Sequence, residues 1–329
     1  MSAPPVHLLL GPPRHGVRLI GAQLAEEVGA VTTTSWRAAA AGRQVHVHLN
    51  AALLGEDPAA CLAALAELHE RTRLTLTLHD LPQATDGAGF ARRRDTYRLL
   101  LSRCSGWAVS SHHELTLARE HLDAGEGGLV APLPIIATSR AGRQRPPQGA
   151  RSAPPGRPLV AVAGFVYPGK GHADVLAAVA RLGRDQRADV VALGAPAPGH
   201  RGLVRDLHEQ AAGAGVGLRV TGYLTDAGLE RWLRRVDVAV CGHRNVSASG
   251  STNLWIAAGR RPLVREGRYA REMAALRPGC TRLYDDEGLA EAIASDLRDP
   301  ASTWLPQHVA TTPHLCDTAA IYRAWWSER

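Results

Sequence analysis

The chain alternates short aliphatic or β-branched runs with longer stretches of helical periodicity, and it does so twice. Val6–Leu10, Val45–Leu49, Leu74–Leu78 and Trp107–Val109 have the length and composition of strands. Val17–Val28, Ala59–Arg71, Arg92–Ser102 and His112–Leu122 carry helical spacing between them. Near-continuous apolar strands are buried on both faces, and parallel neighbours need helical crossovers, so this half predicts an α/β layer structure. Over residues 137–158 the pattern stops. That stretch is rich in Pro, Gly and Arg and cannot build a core, so it reads as a linker or mobile loop.

Beyond it the alternation restarts. Leu159–Ala163, Asp189–Leu193, Leu218–Thr221, Val238–Val240 and Pro262–Val264 are the expected strands. Ala173–Leu182, Gly202–Ala212, Asp226–Arg235, Thr252–Ala258 and Glu287–Leu297 are the expected helices, the third capped by Thr225. At 329 residues the chain has room for two domains. The expected division is 1–137, a linker over 138–158, a second domain over 159–302, and a last amphipathic segment over 303–329. That segment holds Trp325 and Trp326 and is expected to pack back on the first domain.

The bulk chemistry narrows the partners. A net charge of +7 favours anionic ligands. Of 38 basic residues only Lys170 is lysine, a bias that also fits GC-rich coding. Basic residues are spread along the chain, aromatics are 5%, and no DNA- or RNA-reading motif is present, so no nucleic-acid partner is expected. The five cysteines are scattered without a Cys-x-x-Cys pair, so neither a disulfide framework nor a structural zinc site is expected. His46, His48, His112 and His113 lack acidic partners at ligand spacing, and no metal is assigned. No apolar run reaches membrane-spanning length, and the first ten residues read as a strand rather than a signal peptide, so a cytoplasmic protein is expected. No helix with a pronounced basic apolar face stands out, and membrane association is not predicted.

Five segments carry candidate chemistry. Gly164 to His172 places Lys170 in a glycine-bearing turn between a strand and a helix, where backbone N–H groups and a helix start collect anions. Residues 11–17 bring Arg14 and Gly16 to a similar strand–helix turn. Thr77-Leu78-His79-Asp80 closes an apolar strand with polar groups at its carboxyl end, where a histidine can bond a hydroxyl or move a proton, or only cap a loop with Asp80. Gly222 and Tyr223 follow another strand, and the aromatic ring either holds a base or covers the core edge. Ser249, Gly250, Ser251, Thr252 and Asn253 open a helix with small and hydroxyl residues and read as a diphosphate cradle or a serine-rich cap.

Taken in order, these segments resemble the GT-B glycosyltransferases, in particular the retaining family-four group. The clearest part is residues 159–264: the turn Gly164–Gly171, the strand end Thr221-Gly222-Tyr223, and Ala257-Ala258-Gly259 before Pro262-Leu263-Val264. The resemblance implies two Rossmann-like doubly wound domains facing a central cleft, joined by a hinge. It implies a nucleotide-diphosphate sugar as donor substrate with no separate cofactor, and a carbohydrate or glycolipid acceptor. Gly16 matches the glycine that meets the donor diphosphate, and His79 the histidine near the transferred sugar. Lys170, His79 and Asp80 are the catalytic candidates. Among short relatives the chain resembles actinobacterial mannosyltransferases using GDP-mannose, and the pathway this resemblance implies is polysaccharide biosynthesis. The family's phosphate-binding arginine falls at Phe165 and its two glutamates at about Val246 and Leu254. Arg14 and Arg244 are the cations available to replace the arginine. The same departures keep open a non-catalytic nucleotide-sugar-binding protein, or an epimerase or hydrolase on this scaffold.

Overall fold

The first sheet starts at β1 (Val6–Leu8), which runs through a turn into α1 (Gly16–Val28). The computed structural model describes residues 3–125, 127–136 and 156–328, so the linker expected over 138–158 lies outside them up to residue 155. Next come β2 (Thr32–Thr33), α2 (Trp36–Ala39), β3 (Gln44–Leu49), α3 (Pro58–Arg71), β4 (Arg73–Leu78), α4 (Phe90–Ser102), β5 (Gly106–Val109), α5 (His112–Leu122) and β6 (Leu129–Val130). The described strands form one parallel sheet in the order β2-β1-β3-β4-β5-β6.

Local chemistry fixes the helix ends. The His15 ring accepts from the Val17 amide to open α1, and Gly29 closes it in the left-handed region. Pro58 enters α3 at its first turn behind the Asp57 cap, and Ser111 caps α5. Both faces of β3 and β4 are buried. Val45, Val47, Leu49, Leu74, Leu76 and Leu78 pack with residues of α3, α4 and α5. The alternate positions of the same strands carry His46, His48, Thr75 and Thr77, also buried.

The second sheet contains β7 (Leu159–Ala163), β8 (Asp189–Leu193), β9 (Leu218–Val220), β10 (Val238–Cys241), β11 (Leu263–Arg265) and β12 (Arg282–Tyr284). Its crossovers are α6 (His172–Ala180), α7 (Arg201–Gly213), α8 (Asp226–Arg235), α9 (Gly250–Ala257) and α10 (Arg268–Leu276), and α11 (Leu289–Arg298) follows the last strand. The described strands are again parallel, in the order β12-β11-β10-β7-β8-β9. Alternation sends Val160, Val162, Val190, Val238 and Val240 to the layer of α6, α7 and α11. Ala161, Ala163, Val191, Ala239 and Cys241 face the layer holding Leu233 and Trp255.

By contact density the chain divides into two units. The first is 1–134, 246–248 and 313–329; the second is 135–245 and 249–312. The final helix, α12 (Leu315–Ser327), packs Ala319, Tyr322, Trp325 and Trp326 against Leu24 and Val28 of α1. Two of these bounds differ from those expected from sequence. Residues 303–312 stay with the second unit because the Trp304 ring lies over Arg260, with Cζ 4.2 Å from its centroid. Val246–Ala248 leave the second unit because Ser247 bonds Glu114 and receives the Leu81 amide at 3.0 Å. No helix among the described residues is long and apolar enough to cross a membrane.

Arg260 is the structural bolt of the second unit. It is 1% exposed and donates to the carbonyls of Val236 and Asp237 at 2.7 Å each and of Thr303 at 3.3 Å, in place of an anionic partner. Burial holds its pKa down at about 10, still high enough to keep the charge at neutral pH. Arg260→Ala strands those carbonyls without donors, so it is expected to cost about 3–5 kcal/mol of unfolding free energy. Urea unfolding checks this against Arg205→Ala, a 76% exposed control expected to stay within about 0.5 kcal/mol of wild type.

Candidate functional site

In each sheet the order of connection reverses at one place, between β1 and β3 in the first and between β7 and β10 in the second. At such a point the two flanking loops diverge to opposite faces and leave a crevice at the carboxyl ends of the strands. The sequence candidates are best read against these two crevices, each within its own unit.

In the second unit the loop after β7 carries Lys170 and the loop after β10 carries His243. Lys170 is 6% exposed. Its Nζ lies 2.7 Å from His243 Nε2 and 3.2 Å from Ser251 Oγ, and 5.8 Å from the Tyr167 ring centroid. The ion pairs among the described residues do not include Lys170. Burial is the main cause of its pKa falling to about 8, against a small opposing effect of the Cys241 thiol. Gly171 makes the arrangement sterically feasible: its φ is +96°, and a Cβ there would come within 2.5 Å of the Gly242 carbonyl oxygen. The two loops therefore touch backbone to backbone. His172, at the start of α6, is 3% exposed with neither ring nitrogen hydrogen-bonded among the described residues. Burial and then the Lys170 charge hold its pKa at about 4.

The serine-rich segment opens α9 at Gly250, two residues before the expected start. Ser249 is the cap: its Oγ accepts from the Thr252 amide at 3.2 Å and the Thr252 hydroxyl at 2.9 Å. Ser251 turns to Lys170 and to Ser249 Oγ at 3.2 Å. Asn253 is buried, and Gly250 is exposed with open space around it. Gly164 sits against the lysine, since a Cβ there would lie 3.2 Å from Nζ. Gly222 introduces Tyr223, which is 62% exposed and meets the exposed Phe165 edge to face at 5.9 Å. Tyr223 therefore does not cover the core edge. Arg244, proposed as a replacement cation, is committed to Asp174 through Nε at 3.0 Å, with Asp174 shared by Arg265. Its backbone N–H, rather than its charge, reaches Gly169.

In the first unit Arg14 and Gly16 are exposed in the loop after β1. Gly16 has nothing within 4 Å of a would-be Cβ, so the space before α1 is open. His79 is 6% exposed at the end of β4. The anticipated His–Asp pair does not form. His79 Nε2 lies 3.1 Å from His48 Nδ1, while Asp80, in the left-handed region at φ 56°, pairs with Arg93 at 3.0 Å. The Tyr97 hydroxyl clamps this corner by donating to the carbonyls of His79 and Asp80.

The sequence reading missed what lies behind His79. His46 bonds the hydroxyls of Thr75 at 2.9 Å and Thr77 at 3.0 Å, and Thr77 meets the Tyr322 hydroxyl at 2.7 Å. His7 stacks nearby, with Trp326 edge-on at 5.5 Å. A small cavity between α1, α12 and His48 and His79, also lined by Ser110 and Tyr322, has room for about one water. Glu114 was also missed. It is wholly buried and accepts the Ser110 amide at 2.7 Å and the Ser247 hydroxyl; burial raises its pKa to about 7. Its signal was present as the spacing Ser111-x-x-Glu114 of a capping box. His243 was legible only as the polar residue after the apolar strand β10. No cluster of three or more metal-ligating side chains occurs among the described residues.

With this geometry in hand, comparison with known proteins gives a fold and no closer relative. No protein-family model matches the sequence, and no curated protein matches it. Among solved structures, Anabaena HepE in complex with UDP and glucose superposes with a TM-score of 0.70 at 14% identity, covering 98% of this chain and 94% of that one. Sucrose-phosphate synthase from Thermosynechococcus elongatus gives 0.63 at 15%, covering 97% and 79%. A glycosyltransferase from Rickettsia africae gives 0.65 at 9%, covering 97% and 93%. At such identities the likeness establishes architecture alone. The two parallel six-stranded sheets with helices on both faces are those of the GT-B fold.

The buried histidines give the first unit a pH signature. His7 and His79 are lowered to about 4, and His46 and His48 well below 6.5, in each case chiefly by burial. Their folded values lie below the unfolded one, so unfolding takes up protons. Stability is full above about pH 6.5 and is lost as the pH falls toward 4. Asp80 and Glu114, both raised chiefly by burial, oppose this, Glu114 losing stability between its unfolded value of 4.5 and about 7 as the pH rises. The expected result is a net fall in urea-unfolding stability on acidification from pH 6.5 to 4.5, with a slope reduced by about one proton in His46→Leu. A flat profile in the wild type contradicts the assignment of neutral buried imidazoles.

Proposed function

We propose that this chain transfers a sugar from a nucleoside-diphosphate donor to a carbohydrate or glycolipid acceptor, with the diphosphate held in the second unit by Lys170. The observation that carries the reading is a buried ammonium with no carboxylate at ion-pair distance, placed where the strand order reverses in a GT-B fold. A desolvated cation without a protein anion is costly unless a ligand anion completes it. The opening turn of α9, whose Thr252 amide is capped by Ser249 and whose Gly250 and Ser251 amides precede the first intrahelical bonds, supports the same ligand.

Sugar transfer from such a donor requires stabilising the diphosphate as it departs, and a preorganised cation in a dry site does this best. Lys170 is the charge offered to the leaving group. Neither nearby carboxylate of the first unit bonds His79, since Asp80 faces Arg93 and Glu114 is tied to Ser110 and Ser247. That supports a retaining route in which the leaving phosphate itself takes the acceptor's proton. HepE has been seen with UDP and with UDP-glucose, which makes UDP-glucose the first donor to test, beside the GDP-mannose suggested by the resemblance. A cytoplasmic setting and a role in polysaccharide synthesis belong to the same proposal.

One specific observation favours a second reading. Val246 and Leu254 stand where the family carries glutamates, and Phe165 where it carries arginine. A protein that binds a nucleotide sugar without turning it over is consistent with those losses.

Thermal shift with UDP, GDP, UDP-glucose and GDP-mannose, followed by assay of released nucleoside diphosphate, separates the readings. A donor-specific rise in Tm with release establishes the transferase, and a rise without release under any acceptor tried favours the binding protein. Lys170→Ala is expected to lower kcat/KM by about 100-fold or more. Activity within about threefold of wild type removes Lys170 from the site.

A further inference from the structure

We propose that His243 is the positioning residue for Lys170: its Nε2 accepts a hydrogen bond from the ammonium and, with Ser251, aims the remaining N–H at the donor diphosphate. The inference rests on the diphosphate reading and assigns a role to a residue outside the sequence candidates.

An ammonium has three donors and no acceptor. The 2.7 Å contact between Nζ and His243 Nε2 therefore makes the imidazole nitrogen the acceptor and puts its proton on Nδ1. The Ser251 hydroxyl at 3.2 Å takes a second N–H. One donor is left over, and no carboxylate among the described residues stands within ion-pair distance to receive it. A flexible four-carbon stem does not hold an ammonium in one orientation by itself. Two acceptors from two different elements, the loop after β10 and the first turn of α9, do.

The groups around Nζ agree with this assignment. Every element packed on the ammonium offers a neutral or basic group: His172 from α6, Cys241 from β10, His243 from the following loop, Ser251 from α9 and Tyr167 from its own turn. Asp174, the carboxylate in the first turn of α6, is bound by Arg244 and Arg265. His243 is held well below the ordinary histidine range by burial, then by Lys170 and His172, so it stays neutral and able to accept.

The chain's single lysine makes the test direct, because protein grown on lysine labelled with 13C at Cε shows one side-chain resonance. In wild type that signal is expected to titrate near pH 8. In His243→Phe, which cannot accept, the midpoint falls by about one pH unit, and His243→Gln, whose Oε1 accepts, restores it. UDP affinity measured by calorimetry at pH 7 follows the same order, weakened about tenfold in His243→Phe and near wild type in His243→Gln. A midpoint and an affinity unchanged in His243→Phe overturn the role of His243. In wild type alone, 15N spectra of the histidines, with His243 assigned by its loss in the Gln variant, are expected to show the Nδ1–H tautomer. An Nε2–H tautomer overturns the proposal even if His243→Phe does not fold. If wild type binds no UDP or GDP while the lysine titration responds to His243, the pair stands and the diphosphate reading falls.

Discussion

A parallel sheet has no face to spare for water. Helical crossovers cover both sides, so polar chemistry is pushed to the carboxyl ends of the strands, where the loops begin. Both sheets of this chain obey that constraint, and the location of nearly every functional candidate follows from it. Lys170, His243 and the start of α9 lie at the ends of β7 and β10 because those strands flank the reversal of order. His79 lies at the carboxyl end of β4, one strand away from the reversal in the first sheet, with its backbone clamped by Tyr97. The sheets therefore act as mounts for the groups their loops carry.

How much of this was legible depends on how each element earns its stability. Interior strands such as Val160–Val162 and Leu74–Leu78 declare themselves because burial on both faces leaves a continuous apolar run. The short edge strands Thr32–Thr33, Leu129–Val130 and Arg282–Tyr284 have no such signature, since pairing on one side and partial exposure ask little of composition. β3 was recognised, but its histidines were weighed only as metal ligands. They line an interior face, because α12 (Leu315–Ser327) returns from the far end of the chain to cover it, an event the local pattern of β3 does not encode. Arg244 shows the opposite failure. It was legible as a cation and its neighbour Asp174 as an ordinary helix acid, yet only the fold reveals that the two neutralise each other.

The second crevice keeps one buried positive charge and surrounds it with acceptors that carry no charge. Such a set neither neutralises the ammonium nor competes with a bound anion. A glutamate at hydrogen-bond distance from Nζ would satisfy the lysine better in the free protein, and a diphosphate would then have to displace it. An imidazole and a hydroxyl orient the cation while leaving its charge to the ligand.

The same geometry accounts for a lysine in a chain that otherwise uses arginine. The space around Nζ is narrow. Gly164 has room for no side chain against it, and Gly171 lies against Gly242 with the closeness only glycine permits. A planar guanidinium with five donors would need a wider slot and acceptors arranged in a fork, whereas the two acceptors here come from different elements and converge on one point. Desolvation adds a second reason. An ammonium whose pKa is drawn down to about 8 is held near the point of losing its proton, so an arriving anion strengthens the charge it binds. An arginine, charged at every accessible pH, would remain a buried cation with no such release. A lone lysine at this turn is thus what a compact, proton-tunable anion grip requires, and the arginines elsewhere, in exposed ion pairs or bonded to carbonyls as Arg260 is, meet demands that a guanidinium meets better.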